Sequence, residues 1–195
     1  MLEKFINFIK LTTDFSKVER QVLYPERKQL ENDAEHSFQL AIAAWYLIDS
    51  RNLDLNKDLI LKYALVHDFP EVYAGDTFIY ADKKILDQKE KREEEARKRL
   101  KKELAEFADI HDYIGKYEKR EDKESRFVYA LDKVIPIINI YLDGGKQWRE
   151  WGITLDMLIE NKDPKVALSP EIKPYFDELV AILESQKDLF HVKSE

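Results

Sequence analysis

The chain has 195 residues, of which 44% are hydrophobic and 12% aromatic, with five glycines and six prolines. This composition excludes a disordered protein and favours one folded domain with a sizeable core, built from helices joined by short connections. The lack of cysteine excludes disulfides and thiolate metal ligands, and the formal net charge of −7 argues against a general nucleic-acid-binding surface.

Targeting segments are not evident in the sequence. No apolar run reaches the roughly 18 residues that a membrane span requires. The N-terminal stretch MLEKFINFIKL contains an acidic residue and no small-residue cleavage site. We therefore expect a cytoplasmic protein that does not associate with membranes.

Apolar residues at helical spacing predict a succession of α-helices. The first helix covers residues 1–11. Residues 12–32 have mixed charge and no clear period, and we expect a loop that includes one helical turn at most. Residues 34–48 are apolar on nearly every side, which is typical of a buried helix. Asn32 or Asp33 is the expected N-cap of this helix.

The remainder of the chain repeats the helical pattern. A second apolar helix covers residues 59–67, and a long charged helix covers residues 83–108. Residues 123–142 form another buried helix, followed by two helices over residues 147–161 and 170–187. No segment of useful length alternates between apolar and polar residues, so the predicted fold is all-α.

Four ionisable residues lie within these apolar helices. His36 is at the start of one, His67 and Asp68 end the next, and Asp132 is in the middle of FVYALDKVIPII. Burying a charge is costly unless the charge is paired or binds a metal. Two imidazoles and two carboxylates on three helices are a suitable ligand set for a divalent cation, so they predict a metal site.

Each of these residues also has a purely structural interpretation. His36 could cap or flank its helix, and His67 with Asp68 could simply form a helix C-terminus, although an aspartate is unfavourable there. Asp132 could form a structural salt bridge with a histidine or a lysine. The four residues do not form one local motif, so spacing alone leaves these alternatives open.

Longer motifs surround the same residues, in the segments ENDAEHSFQLA, ALVHDFPEVYAGD, KREEEARKRL and SRFVYALDKV. In this order they resemble the HD superfamily of metal-dependent phosphohydrolases, and in particular its 5′-deoxynucleotidase branch. The resemblance extends over about residues 20–150. It implies a single HD domain over residues 1–195, a bundle of about six to eight helices with a metal site in its core. C-terminal helices over residues 151–187 and a tail over residues 188–195 would complete it.

The resemblance also implies roles for individual residues. His36, His67, Asp68 and Asp132 would hold one divalent metal ion per chain, with Co²⁺, Mn²⁺, Zn²⁺ and Mg²⁺ as candidates. Glu71 would orient or deprotonate the attacking water. Asp76 would face the sugar 3′-hydroxyl and reject ribonucleotides.

Phosphate and sugar would be bound by residues upstream of the first histidine. Arg20, Tyr24 and Arg27 are the candidates, and Lys133 is a further candidate for the phosphate. The implied reaction is the hydrolysis of 2′-deoxyribonucleoside 5′-monophosphates. The implied partners are this nucleotide and a second copy in a homodimer, without a nucleic-acid polymer or a membrane.

Two alternatives remain from the sequence. The first is another HD phosphohydrolase, which would act on a cyclic nucleotide, a nucleoside triphosphate or ppGpp. The second is a non-catalytic HD module that senses a ligand. The complete ligand set and Glu71 favour catalysis.

Overall fold

The computed structural model describes residues 1–26 and 28–191. This part of the chain forms ten α-helices, one antiparallel pair of strands and a short 3₁₀-helix. In chain order the elements are α1 (Leu2–Phe15), β1 (Glu19–Leu23), β2 (Leu30–Asn32), α2 (Asp33–Arg51), α3 (Lys57–Val66), α4 (Glu71–Ala74), α5 (Lys83–Glu103), α6 (Ala108–Lys119), α7 (Lys123–Leu142), α8 (Lys146–Glu150), α9 (Leu155–Val166), α10 (Lys173–Glu184) and the 3₁₀-helix Lys187–Leu189.

Helix α7 is the centre of the fold. It continues through Pro136 and packs against α2, α3, α6 and α9. Phe127, Val128 and Ala130 of this helix have no exposed surface. Full burial of an apolar side chain such as phenylalanine stabilises a fold by about 1.5–3 kcal/mol. The core around α7 therefore holds in place the side chains that this helix presents.

The predicted all-α class is confirmed. Helices α4 and α8 have only four and five residues. The other α-helices of the described ranges number eight, the upper end of the six to eight that were expected. Asn32 is the N-cap of α2, and its side chain accepts hydrogen bonds from the backbone N–H groups of Ala34 and Glu35. None of the helices in the described residues has the length and hydropathy needed to cross a bilayer.

The structure corrects the expected loop over residues 12–32, which contains the end of α1 and the β1–β2 hairpin. The amide side chain of Gln147 bonds to the backbone of β1 at two points. Its Oε1 accepts the N–H of Leu23 at 2.8 Å, and its Nε2 donates to the carbonyl of Gln21 at 2.8 Å. These bonds satisfy backbone groups that are not paired within the hairpin. The hairpin was missed because this long-range partner leaves no local pattern.

Two predicted helices have different bounds in the structure. The helix expected over residues 83–108 ends at Glu103, before Leu104 with φ −112° and ψ 39°, and α6, which follows it, was not predicted from the sequence. The segment 147–161 is interrupted at Gly152, which has φ +67°. Thr154 then starts α9, because its hydroxyl accepts the backbone N–H of Met157.

Candidate metal centre and its cavity

Three helices bring the four predicted ligands together in the core. His36 lies in the first turn of α2, and Asp132 lies in the middle of α7. His67 and Asp68 directly follow the last residue of α3. One ligand atom from each residue lies within 4.8 Å of the others. Nε2 of His36 is 2.9 Å from Oδ1 of Asp132, and Nε2 of His67 is 2.9 Å from Oδ2 of Asp68. We call these four residues the ligand cluster.

Groups outside the ligand cluster orient both imidazoles. Nδ1 of His67 lies 2.9 Å from the backbone oxygen of Ala64. A carbonyl can only accept, so Nδ1 carries the proton and Nε2 is the ligand atom of the neutral ring. Nδ1 of His36 lies 3.4 Å from Oε2 of the buried Glu31. Contacts of this kind to the second ring nitrogen orient histidine ligands in metal sites.

The donor set fits a divalent cation. Nε2 of His67 is buried and has no hydrogen bond within the described residues, because its position beside Asp68 lacks hydrogen-bond geometry. A buried polar atom without a partner is costly unless a ligand satisfies it. A metal ion bound by imidazole nitrogens and carboxylate oxygens would do so.

Neighbouring positive charges keep both aspartates of the cluster ionised. Although burial disfavours the charged form, Lys133 and the hydrogen bond to His36 hold the pKa of Asp132 well below its usual range. Burial likewise opposes ionisation of Asp68, but in the metal-free site the protonated imidazole of His67 and the guanidinium group of Arg20 hold the pKa of Asp68 well below its usual range. The ionised carboxylate is the form that binds a cation.

Two further carboxylates line a cavity beside the ligand cluster, and Asp68 and Asp132 line it too. Glu71 begins α4, and its Oε2 is buried without a hydrogen bond in the described residues. Burial, together with the nearby charge of Asp68, raises the pKa of Glu71 well above its ordinary value. Asp76 follows Gly75, whose φ of +70° is a conformation that favours glycine.

Arg20 extends from β1 into the acidic side of this cavity. Its Nη1 lies 3.2 Å from Oδ1 of Asp33 and also contacts Oδ2 of Asp68. Its Nε lies 3.3 Å from Oε2 of Glu31. The carboxylates of Asp33, Asp68 and Glu71 are close enough to one another to hold a cation. The guanidinium group of Arg20 neutralises part of this negative charge.

Of the other predicted substrate-binding residues, Lys133 and Tyr24 lie in different places in the structure. Lys133 lines the cavity, and its ammonium group pairs with Asp132. Tyr24 lies just beyond the end of β1 and is not part of the cavity wall. Arg27 falls outside the described residues.

Part of the cavity wall was not predicted from the sequence. Lys162 of α9 lines the cavity although only 7% of the residue is exposed. Burial, together with repulsion from Lys133, lowers the pKa of Lys162 to about 7. The rings of Phe78 and Trp151 also line the cavity, with centroids 4.8 Å apart. The aromatic residues directly after Asp76 were an available signal for this wall, whereas Lys162 lies in a polar stretch, ENKDPK, that resembles a solvated helix surface.

Comparison with known protein families shows that residues 15–173 match the HD domain. The 5′-deoxynucleotidase HDDC2 of Mus musculus is 31% identical over 131 residues, which cover 66% of this chain and 64% of that protein. The protein of the same name from Homo sapiens is 31% identical over 66% of this chain and 62% of its own length. The chain therefore matches less than two thirds of the length of these relatives.

Solved structures share the fold over nearly the whole chain. The crystal structure of a "predicted metal-dependent phosphohydrolase" from Magnetospirillum magnetotacticum has a TM-score of 0.84 and 27% identity, and the match covers 98% of this chain and 96% of that one. A conserved hypothetical protein from Pyrococcus furiosus has a TM-score of 0.61 and 21% identity over 92% of this chain and 99% of that one, which shows a shared fold. From the domain match, we conclude that the chain belongs to the HD-domain family.

Proposed function

We propose that this chain is a metal-dependent phosphohydrolase that removes the phosphate group from 2′-deoxyribonucleoside 5′-monophosphates. The observation that carries this proposal is the position of the ligand cluster, which lies beside a cavity lined by Glu71 and Asp76. The relatives named 5′-deoxynucleotidase support the same substrate class. The cluster would hold one divalent ion per chain, with Co²⁺, Mn²⁺, Zn²⁺ and Mg²⁺ as candidates.

Hydrolysis of a phosphate monoester is extremely slow without a catalyst, so the site must neutralise charge and activate a water. A divalent ion in the ligand cluster would stabilise the phosphoryl charge and lower the pKa of a water molecule. Glu71 would orient the attacking water and accept its proton. The charge of a bound cation would lower the raised pKa of Glu71 towards the range in which a carboxylate is a useful base.

Arg20 and Lys133 would contact the phosphate oxygens. Both residues line the cavity, and each contacts one aspartate of the ligand cluster. A guanidinium group has five N–H donors and an ammonium group has three, so both can bind a phosphate while keeping their carboxylate partners. Tyr24 and Arg27 stay candidates for sugar binding on the basis of the sequence alone.

Asp76 would accept a hydrogen bond from the sugar 3′-hydroxyl and exclude a 2′-hydroxyl. Its place in the cavity wall supports this role. We expect Asp76→Ala to lower kcat/KM for dAMP and to raise the ratio of AMP to dAMP hydrolysis by about tenfold or more. An unchanged ratio, measured by phosphate release under initial-rate conditions, would remove Asp76 from sugar selection.

The main test is phosphate release by metal-stripped protein after each candidate ion is added back. The substrates are dAMP, dTMP, dCMP, AMP and deoxyadenosine 3′-monophosphate, and Asp132→Ala is the matched control. Ion-dependent release from the 2′-deoxy 5′-monophosphates alone would support the proposal. If these monophosphates are not hydrolysed, the same protein is incubated with a cyclic nucleotide, a nucleoside triphosphate or ppGpp and the nucleotide products are separated by chromatography. Hydrolysis of one of these would indicate another HD phosphohydrolase. No release by protein with a bound ion would favour a ligand-sensing module.

We also propose that residues 1–195 form one domain. The main hydrophobic core contains Leu40 of α2 and Phe190 near the end of the described chain, which supports a single folding unit. A single cooperative unfolding transition, with the same midpoint by circular dichroism and by tryptophan fluorescence, is the expected result. Two separate transitions would contradict it.

Exposed apolar side chains support a homodimer. Helices α2 and α7 lie side by side, and the amides of Gln39 and Asn139 exchange hydrogen bonds of 3.1 and 2.9 Å. Both helices expose apolar residues on their outer surface, namely Phe38, Ile42, Trp45, Tyr46, Ile138 and Leu142. Light scattering should give the dimer mass for the wild type and the monomer mass for Trp45→Glu, whereas a monomeric wild type would refute this part of the proposal.

A further inference from the structure

Helix α9 places a buried lysine in the wall of the cavity. Lys162 is 7% exposed, and it lies one helical turn after Leu158, which lines the same cavity. Helix α9 packs against α7, which contributes Asp132 and Lys133 to that wall. The Lys162 side chain is therefore directed into the fold, beside the ligand cluster, and not into solvent.

Lys162 differs from the other cations of the cavity because no carboxylate contacts its ammonium group directly, although Asp132 attracts it at longer range. Within residues 1–26 and 28–191 it makes no hydrogen bond, ion pair or ring contact. The other cationic residues that line the cavity each contact a carboxylate: Arg20 with Asp68, Lys133 with Asp132, and Lys89 with Glu93.

A buried ammonium group without a partner lowers the stability of a fold, because the charge loses its hydration and gains nothing in return. Such a group persists where a ligand supplies the missing partner, and cavities with convergent polar groups are the usual places for it. The matching ligand group is an anion with hydrogen-bond acceptors.

We propose that Lys162 binds the phosphate group of the substrate, and the free phosphate after hydrolysis, from the α9 side of the cavity. This inference rests on the proposed function. The phosphate is the only strongly anionic group of a nucleoside monophosphate, whereas the sugar and the common bases are uncharged at neutral pH.

The charge balance of the cavity supports a role at the phosphate. Asp68, Glu71 and Asp76 line one side of the cavity, with Asp33 beside them, and the carboxylates that are ionised there oppose the entry of a dianion. Arg20 is already paired with two of these carboxylates. Lys162 is the cation of the described cavity wall that no carboxylate contacts, so its charge would add to those of Arg20 and Lys133 at the incoming phosphate.

The test measures the binding of inorganic phosphate to Mn²⁺-loaded protein by the shift of Tm with phosphate concentration, which needs no catalytic turnover. Lys162→Met removes the ammonium group and keeps the length of the side chain. Lys165→Met is the matched control, because Lys165 lies on the same helix, bonds to Asn161 and is not part of the cavity wall. If the methionine variant does not fold, Lys162→Gln replaces it.

We expect the apparent Kd for phosphate to rise by about 10- to 100-fold in Lys162→Met and to stay unchanged in Lys165→Met. The KM for a deoxynucleoside monophosphate should rise with it. If the wild type and Lys162→Met bind phosphate equally well, the role of Lys162 is refuted while the proposed function stands. If the wild type is not stabilised by phosphate at all, this inference is refuted, whereas the proposed function fails only if ion-dependent phosphate release is also absent.

Discussion

Replacing Lys162 with methionine should stabilise the metal-free protein, even though it removes a group that we assign to ligand binding. Methionine keeps the unbranched apolar stem that packs between α9 and α7, and it eliminates the buried charge. Residues kept for function commonly lower the stability of the fold that contains them.

The size of the effect follows from the pKa of Lys162, which burial and the nearby Lys133 lower from 10.5 to about 7. Each pKa unit corresponds to about 1.4 kcal/mol, so the drop amounts to a maximum of about 5 kcal/mol. Local rearrangement around a buried charge reduces such penalties. We therefore expect Lys162→Met to raise the free energy of unfolding by about 2–5 kcal/mol. For a domain of this size, the gain corresponds to an increase in Tm of about 5–15 °C.

The sign of the pH dependence is determined by the same pKa. The unfolded chain holds the lysine proton up to a pH near 10.5, whereas the folded chain releases it near pH 7. Below about pH 7 the folded state therefore bears the full penalty of the buried ammonium group. As the pH rises from about 7 towards 10.5, the unfolded chain also loses the proton, and the penalty disappears.

Calorimetry of the chelator-treated wild type and of Lys162→Met, at about pH 6 and about pH 9.5, tests this reasoning. The increase in Tm should be large at the lower pH and much smaller at the higher one. Lys101→Met, at an exposed position of α5, is the control and should change Tm little at either pH. Two results would refute the view that the ammonium group is buried at a cost. One is an equal Tm for the wild type and Lys162→Met at the lower pH, and the other is a difference in Tm that does not shrink as the pH rises.

Three further predictions concern metal binding, proton transfer and packing. Asp132→Ala should abolish binding of the divalent ion, because the ligand cluster loses one of its ligands. Titration calorimetry with Mn²⁺ measures this binding. If the variant bound Mn²⁺ with wild-type affinity, the ligand cluster would be excluded as the metal site. Glu71→Gln should bind the ion as the wild type does and hydrolyse the substrate about two to four orders of magnitude more slowly in a phosphate-release assay. If the variant kept full activity, another group would accept the proton of the attacking water. Gly145→Ala should lower the free energy of unfolding in urea by about 1–3 kcal/mol, because a Cβ at this position would lie 2.5 Å from the backbone oxygen of Leu189 at a φ of +69°. Gly144→Ala, at a φ of +68° with open space around it, measures the backbone effect alone, and equal losses in the two variants would argue against a clash with Leu189.

The helices that carry the ligand cluster could be predicted because their signals are local. Asn32 caps α2, and an almost uniformly apolar stretch forms α7 around Asp132. An ionisable residue surrounded by apolar neighbours is conspicuous in a sequence, because only a partner or a metal makes its burial tolerable. The apolar neighbours of His36, His67 and Asp132 therefore made them candidates for a buried metal site, and the resemblance to a known family joined them into one ligand set.

The hairpin and Lys162 could not be predicted, because tertiary contacts determine both. The backbone of β1 is satisfied in part by Gln147, which is remote in sequence. Lys162 lies between polar and charged neighbours, and it becomes buried only because α9 packs against α7. Its spacing of four residues from both Leu158 and Val166 puts it on the buried face of α9, but the predicted helix ended at residue 161 and did not include it.

The bonds between Gln147 and the hairpin constrain the order in which parts of the protein can fold during translation. They join residues 124 and 126 positions apart, and a lone two-stranded hairpin is barely stable in water. The ribosome releases the N-terminal half first, so β1 cannot gain these bonds until α8 has left the exit tunnel. Arg20 lies on β1, and it therefore reaches Asp33 and Asp68 late. From these bonds we expect the contacts of Arg20 with the acidic side of the cavity to become stable only after translation has passed residue 147.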